Sequence, residues 1–168
     1  QCNWISGDAA DLAAIKRDSK LMLLTSGTTG EPKGLVFDAD RLWSSGRAFM
    51  EFHDAVGQSL RFWNILPLSY LGGVFNLGLI PMAAEGSVVL GEAFSGRMFL
   101  RFWQEVERFD ISALWLVPTI VRGLVQIAER TERARFTKAA DIVKICFLGT
   151  APIDIAKKQR FGELFGVP

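Results

Sequence analysis

The run Ile111-Ser-Ala-Leu-Trp-Leu-Val117 is almost continuously apolar and is followed at once by Pro118. A short apolar run of this kind, with large side chains, predicts a buried strand. Pro118 suits the first turn of a helix, and we expect that helix to continue to about Arg130. A strand that leads directly into a helix is the repeating unit of a parallel sheet covered by helices.

The same alternation extends along the chain in both directions. Further strands are predicted over 20–25, 34–37, 61–66, 87–90 and 142–148. Helices are predicted from Asp38 or Asp40 to about 54, over 73–84, over 95–109 and from Pro152 onward. At least three successive strand–helix units predict an α/β fold with an open, mostly parallel sheet and helices on both faces.

Composition excludes several classes of function. The chain has 168 residues, which corresponds to one domain or to a piece of a larger one. Its 19 Lys and Arg residues against 18 Asp and Glu residues leave a net charge of +1, so nucleic acid is not an expected partner. The most apolar stretch, 70–84, is interrupted by glycines and Pro81, so no integral membrane segment is expected. The N-terminus does not resemble a signal peptide.

Cysteine and histidine are scarce. Cys2 and Cys146 are too far apart in sequence to form a motif, and we expect both to be reduced thiols in a cytoplasmic protein. His53 is the only histidine, so no two-His metal site is available, and an exposed or helix-capping role is expected for it. The mixed charges of 129–138 are expected to form a solvated helix end and loop.

One decapeptide differs in composition from the rest of the chain. Thr25-Ser-Gly-Thr-Thr-Gly-Glu-Pro-Lys-Gly34 holds three glycines, four hydroxyl side chains and one lysine between two predicted strands. Glycines let successive backbone N–H groups converge on an anion, and hydroxyl and ammonium groups add further donors. Each charge-assisted contact to a phosphate oxygen contributes roughly 1.5–3 kcal/mol. The residues themselves therefore predict a loop that binds phosphate groups.

The decapeptide does not follow the P-loop pattern of other nucleotide-binding proteins. That pattern, Gly-x4-Gly-Lys followed by Ser or Thr, fails at Pro32 and again at Gly34. A strand, and not a helix, is predicted after the loop. A P-loop NTPase is therefore not expected.

The decapeptide resembles the TSGTTGxPKG signature of the adenylate-forming superfamily. This superfamily comprises acyl- and aryl-CoA ligases, adenylation domains of peptide synthetases and luciferase-like enzymes. Three later segments are similar to further motifs of the same enzymes, in the same order. They are Leu66–Gly73, similar to a substrate-contacting "PLFHxxG" segment with Tyr70 in the usual His place, Phe109–Thr119, similar to a strand ending in "xPT", and Phe147–Ile153, similar to "SGGAPL".

The resemblance implies roles for individual residues. It implies that Lys33 and Thr28 are catalytic and that Tyr70, Leu71 and Gly72 face the substrate. The residues that it implies for binding ATP are Thr25, Ser26, Gly27, Thr28, Thr29, Gly30, Lys33, Gly149, Thr150, Ala151 and Pro152. ATP and Mg²⁺ are the implied cofactors, with the glutamate that binds the metal expected beyond residue 168, so no metal ligand is expected within the chain. Trp115 and Phe75 either shape an apolar acyl pocket or belong to the core.

The implied activity is ATP-dependent conversion of a carboxylic acid to an acyl-adenylate, followed by transfer to a thiol. The implied partners are a small-molecule carboxylic acid, ATP, and CoA or the thiol of a carrier protein. The resemblance further implies that residues 1–168 form an internal fragment of the large N-terminal, AMP-binding domain of an acyl-CoA synthetase-like enzyme, without its remaining part and small C-terminal domain. Two alternatives stay open: adenylation of a substrate for a carrier protein, and a non-catalytic fragment that binds nucleotide or another protein surface.

Overall fold

The computed structural model describes residues 20–26, 32–130 and 139–168. The first two strands form an antiparallel hairpin of β1 (Lys20–Ser26) and β2 (Pro32–Asp38). Their register runs from the Lys20–Asp38 pair to the Ser26–Pro32 pair. Helix α1 (Ala39–Phe52) begins directly after β2. The hairpin and the helix confirm the strands and helix predicted for this part of the chain.

A second sheet contains four short strands, all parallel. They are β3 (Arg61–Asn64), β4 (Ser87–Leu90), β5 (Ala113–Leu116) and β6 (Ile145–Leu148), in the spatial order β4-β3-β5-β6. This sheet confirms the predicted α/β class. Among the described residues the hairpin is a separate two-stranded sheet, so the antiparallel pair does not extend the parallel one.

The remaining helices differ in detail from the prediction. The segment expected as one helix over 73–84 is a π-helix (Gly72–Leu79) followed by α2 (Ile80–Ala83), and the segment expected over 95–109 is a 3₁₀-helix (Gly96–Leu100) followed by α3 (Phe102–Arg108). Then come α4 (Pro118–Arg130), α5 (Ala139–Ile142) and α6 (Ile155–Phe165).

Two boundaries near the C-terminus were predicted wrongly. The last strand begins at Ile145 and not at Ile142, because Ile142 is the last residue of α5. The last helix begins at Ile155 and not at Pro152. Asp154 caps this helix by accepting a hydrogen bond of 2.8 Å from the backbone N–H of Ala156, which is the role that Asp favours at this position.

Helices cover both faces of the parallel sheet. Because Trp115 pairs with Phe147 in register, the two side chains share a face, and Phe49 of α1 packs on it with ring centroids 5.3 and 5.1 Å away. Trp63 lies on the opposite face, where its ring is 5.4 Å from that of Phe102 in α3. All four residues of β5 are buried, so this strand is the centre of the core.

His53 lies at the C-terminal end of α1 and is exposed, as expected. Its ring also contacts aromatic neighbours, with centroids 4.7 Å from Phe49 and 5.0 Å from Phe147. Cys146 is a half-buried free thiol, whereas Cys2 lies outside the described residues. Within the part of the chain that the structure describes, no helix is both long enough and apolar enough to span a bilayer.

Candidate functional site

The carboxyl ends of the parallel strands carry two of the three predicted site segments. The segment Leu66–Gly73 follows β3, and Gly149–Pro152 follows β6. Ligands of open α/β sheets bind in the crevice outside these strand ends. The topology therefore brings the residues predicted to face the substrate and those predicted to face the nucleotide to one edge of the sheet.

Gly149 leaves β6 in close contact with the neighbouring strand. Its backbone N–H donates to the carbonyl oxygen of Leu116 over 3.2 Å, and a Cβ placed on Gly149 would lie 3.2 Å from Nε1 of Trp115. That indole nitrogen is buried and has no hydrogen-bond partner among the described residues. Glycine is therefore the residue that lets the loop begin this close to the Trp115 ring.

Thr150, the next residue, has a left-handed backbone with a φ of 73° and an exposed side chain. This conformation is unfavourable for a β-branched residue and costs about 1–3 kcal/mol. Ala151 and Pro152 are also exposed, and Asp154 then caps the N-terminus of α6. The loop is thus short, anchored at both ends and open to solvent along its middle.

The segment Leu66–Gly73 makes a tight turn after β3. Tyr70 donates its backbone N–H to the carbonyl of Pro67 over 3.0 Å, and its own carbonyl accepts from Gly73 at 2.9 Å and from Val74 at 3.1 Å. The side chain of Tyr70 is 47% exposed, so it is available to a ligand. A Cβ on Gly72 would approach Cε1 of Tyr70 to 2.6 Å, so a larger residue at this position would displace the Tyr70 ring.

Sequence analysis missed Asn64, the last residue of β3. It is 3% exposed and is the one buried polar or charged residue within 20–26, 32–130 and 139–168. Its side chain is bonded to the backbone at both ends of the following turn, at Leu66 and Gly73. A polar residue at the end of an otherwise apolar strand was the available signal.

The third segment, the decapeptide, is described only at its two ends. Thr25 and Ser26 lie in β1, and Lys33 lies in β2, where the register pairs it with Thr25. Gly27, Thr28, Thr29 and Gly30 fall outside the described residues. Their predicted roles in binding phosphate therefore stay predictions, and so does that of Lys33.

Trp115 and Phe75 both pack in the core. Trp115 is 9% exposed and packs against the tilted rings of Phe49 and Phe147, whose centroids are 5.3 and 5.1 Å from its own. Phe75 is half-buried and packs against the same core. Both positions agree with the core alternative, although Trp115 also borders the loop that begins at Gly149.

Cys146 lies on the other face of β6, beside a cavity of about 290 Å³ whose lining includes Lys158 and Phe161. Burial raises the pKa of the Cys146 thiol to about 12, while the positive charge of Lys158 acts in the opposite direction. The thiol is therefore neutral near pH 7 and is a poor nucleophile. No group of three or more His, Cys, Asp or Glu residues able to hold a metal ion is found where the structure is described.

Comparison with known proteins identifies close sequence similarity to one family. A family model described as "AMP-binding enzyme" matches residues 7–168. The chain is 34% identical over 147 residues to sulfoacetate–CoA ligase of Cupriavidus necator, covering 88% of this chain and 27% of that protein. It is 29% identical over 140 residues to malonate–CoA ligase of Arabidopsis thaliana, covering 79% of this chain and 23% of that protein. The chain thus spans about a quarter of the length of these relatives.

Solved structures share the fold. The crystal structure of ATP-bound MatB from Rhodopseudomonas palustris matches with a TM-score of 0.69 at 22% identity, covering 86% of this chain and 27% of that one. The structure of McyG A-PCP complexed with phenylalanyl-adenylate matches with a TM-score of 0.74 at 18% identity, covering 86% of this chain and 26% of that one. The sheet and its helices therefore have the architecture found in these proteins.

Proposed function

The chain belongs to the family of AMP-binding enzymes, and from this premise we propose that the whole protein activates a carboxylic acid with ATP. The product of the first step is an acyl-adenylate, and the acyl group is then transferred to a thiol. CoA is the proposed acceptor, because the relatives reported above are named as CoA ligases. Short acids such as acetate, malonate or sulfoacetate are the proposed substrate class, on the basis of the relatives' names.

The observation that carries the proposal is the register of the hairpin that holds the decapeptide. Thr25 is paired with Lys33 and Ser26 with Pro32, so the ends of the decapeptide are closed by two antiparallel strands. This arrangement differs from the strand–loop–helix of P-loop proteins, since β2 follows the loop. It supports a loop in which consecutive backbone N–H groups and the side chains of Thr28, Thr29 and Lys33 bind the β- and γ-phosphates of ATP.

The proposed chemistry needs no basic side chain to create the nucleophile, since a carboxylate is already ionised at neutral pH. A carboxylate oxygen attacks the α-phosphorus, and the bond to pyrophosphate breaks. Negative charge grows on the leaving pyrophosphate, so donors from Lys33 and Thr28 stabilise the transition state more than the ground state. The thiol then attacks the acyl carbonyl, loses its proton and displaces AMP.

The strand ends supply the rest of the proposed site. Gly149, Thr150, Ala151 and Pro152 would border the nucleotide, and the segment containing Tyr70 would face the acid. A phenol lacks the positive charge that an imidazole can carry, so Tyr70 would act by hydrogen bonding and shape.

Magnesium and cellular location complete the proposal. The described residues gather no cluster of carboxylates for a cation. Mg²⁺ is proposed to accompany ATP, where it would neutralise phosphate charge when bound. The cytoplasm remains the proposed location.

The test is carboxylate-dependent exchange of labelled pyrophosphate into ATP by the whole protein, measured with acetate, malonate and sulfoacetate. Lys33→Ala is expected to reduce kcat/KM for the exchange by about 10²–10³-fold, as the loss of one transition-state donor does. Thioester formation with CoA and with a carrier-protein arm then identifies the acceptor. Absence of exchange with every acid, or an unchanged rate in Lys33→Ala, would contradict the proposal. The 168-residue chain alone is expected to show no exchange.

A further inference from the structure

Asn64 connects the end of β3 to both ends of the turn that follows it. Its side-chain Nδ2 donates to the carbonyl oxygen of Gly73 over 2.9 Å, and its Oδ1 accepts from the backbone N–H of Leu66 over 3.3 Å. The two bonded backbone groups lie seven residues apart in sequence, on either side of Tyr70. The buried amide of Asn64 thus links the first and last residues of this segment through two hydrogen bonds.

The turn is so compact that it depends on such a connection. A Cβ on Gly73 would lie 2.2 Å from the carbonyl oxygen of Pro67, which means that the two backbones are in direct contact. The π-helix begins at this point, with Gly72 and Gly73 both buried. Helical turns of the π type are rare and occur frequently at functional sites.

Packing does not explain an asparagine at this position. Phe62 on the same strand and Trp115 on the neighbouring strand share the face of Asn64, and both are apolar and buried. An apolar residue here would leave the N–H of Leu66 and the carbonyl of Gly73 without these hydrogen-bond partners, which is unfavourable for polar groups at the edge of the core. The amide therefore serves the shape of the turn.

We propose that Asn64 is a positioning residue that holds Tyr70, Leu71 and Gly72 in the geometry that binds the carboxylic acid. This inference rests on the proposed function. Asn64 itself is buried beneath the turn, and it acts through the backbone of Leu66 and Gly73. Its contribution falls on the affinity for the acid and not on the affinity for ATP, because both of its bonds are to the segment after β3.

The first experiment is independent of activity. Amide hydrogen exchange in the whole protein is compared between wild type, Asn64→Leu and Val106→Ala, the last being a core truncation in α3 with a side chain that is 0% exposed. Asn64→Leu should speed exchange in peptides covering 66–74 by at least 10-fold, whereas Val106→Ala should not affect these peptides selectively. Equal exchange of this segment in wild type and Asn64→Leu overturns the proposal.

The second experiment is kinetic. Asn64→Leu should raise KM for the acid by at least 10-fold and change KM for ATP by less than twofold, while Val106→Ala changes neither. Asn64→Ser keeps a shorter hydroxyl side chain that can still donate and accept a hydrogen bond. This variant should give an intermediate KM for the acid. It also provides a test if the leucine variant does not fold. Faster exchange at 66–74 with an unchanged KM for the acid overturns the positioning role and leaves the proposed function intact. A wild-type protein without acid-dependent pyrophosphate exchange overturns both.

Discussion

Trp115 and Gly149 are in contact at the carboxyl ends of β5 and β6: the indole Nε1 would be 3.2 Å from a Cβ on Gly149. The indole cannot move away freely, because Phe49 and Phe147 pack against its ring. A methyl group at this point would therefore strain the core and displace the start of the loop that carries Thr150.

Gly149→Ala is expected to destabilise the protein by about 1–3 kcal/mol, the usual effect of overpacking. Urea unfolding followed by tryptophan fluorescence measures the change. Gly96→Ala is the matched control, since a Cβ there meets no atom within 4 Å and the backbone is not left-handed. Equal unfolding midpoints for the two variants would show that Trp115 does not restrict this position.

Thr150→Asn is expected to stabilise the fold by about 1 kcal/mol, because Asn tolerates the left-handed backbone that Thr150 adopts at a φ of 73°. Thermal and urea unfolding provide the measurement. The same variant should weaken pyrophosphate exchange if the threonine hydroxyl contacts the nucleotide. A loss of stability in Thr150→Asn would contradict the assignment of backbone strain to this residue.

Gly73→Ala should be far more harmful than Gly78→Ala, although both residues lie in the same π-helix. The Cβ of the first would be 2.2 Å from the Pro67 carbonyl oxygen, and that of the second 3.3 Å from the Gly73 carbonyl oxygen. We expect a loss of more than about 3 kcal/mol for the first variant and less than about 1.5 kcal/mol for the second. Circular dichroism during urea titration ranks them, and similar midpoints would contradict the tight turn.

Cys146 is expected to resist alkylation by iodoacetamide at pH 8 in the folded protein and to react rapidly in urea. Burial raises its pKa from 9.0 to about 12, so the reactive thiolate is scarce in the folded state. Cys2→Ser removes the other thiol within residues 1–168, and labelling is read at Cys146 by mass spectrometry. Rapid labelling of the folded Cys2→Ser protein would contradict the expectation.

The same shift predicts how stability depends on pH. The folded-state pKa of Cys146 lies above the unfolded value, so the folded state retains the proton longer. Its contribution to stability is fully present below pH 9.0 and is lost as the pH rises toward about 12. Cys146→Ala should flatten the fall in unfolding free energy over this range, measured by urea titration at successive pH values.

The sequence predicted the fold class because buried strands and the helices that follow them have different periodicities. The strand at Ile111–Val117 and the helix from Pro118 to Arg130 were predicted to within two residues. The π-helix (Gly72–Leu79) could not be predicted, because the apolar residues over 73–84 are also compatible with a continuous α-helix. The contacts of Gly72 and Gly73 that distinguish it arise only when the turn folds against Pro67.

The sequence proposed site residues where the residue types themselves indicate chemistry, as in the decapeptide and in the loop that begins at Gly149, and their roles in binding stay predictions. Asn64 was not predictable as a site residue, because its role depends on two backbone partners that lie beyond its own strand. The left-handed backbone of Thr150 could not be predicted either, because threonine rarely adopts this conformation.

Asp38 ends β2 and Ala39 begins α1, so no residue lies between the hairpin and the helix. We expect a ligand that displaces the hairpin to act also on α1, whose Phe49 packs against Trp115 and Phe147. Ligand affinity at the hairpin and aromatic packing on the sheet would then be thermodynamically linked. The factor by which the ligand shifts the packing equilibrium would equal the ratio of its affinities for the packed and loosened states.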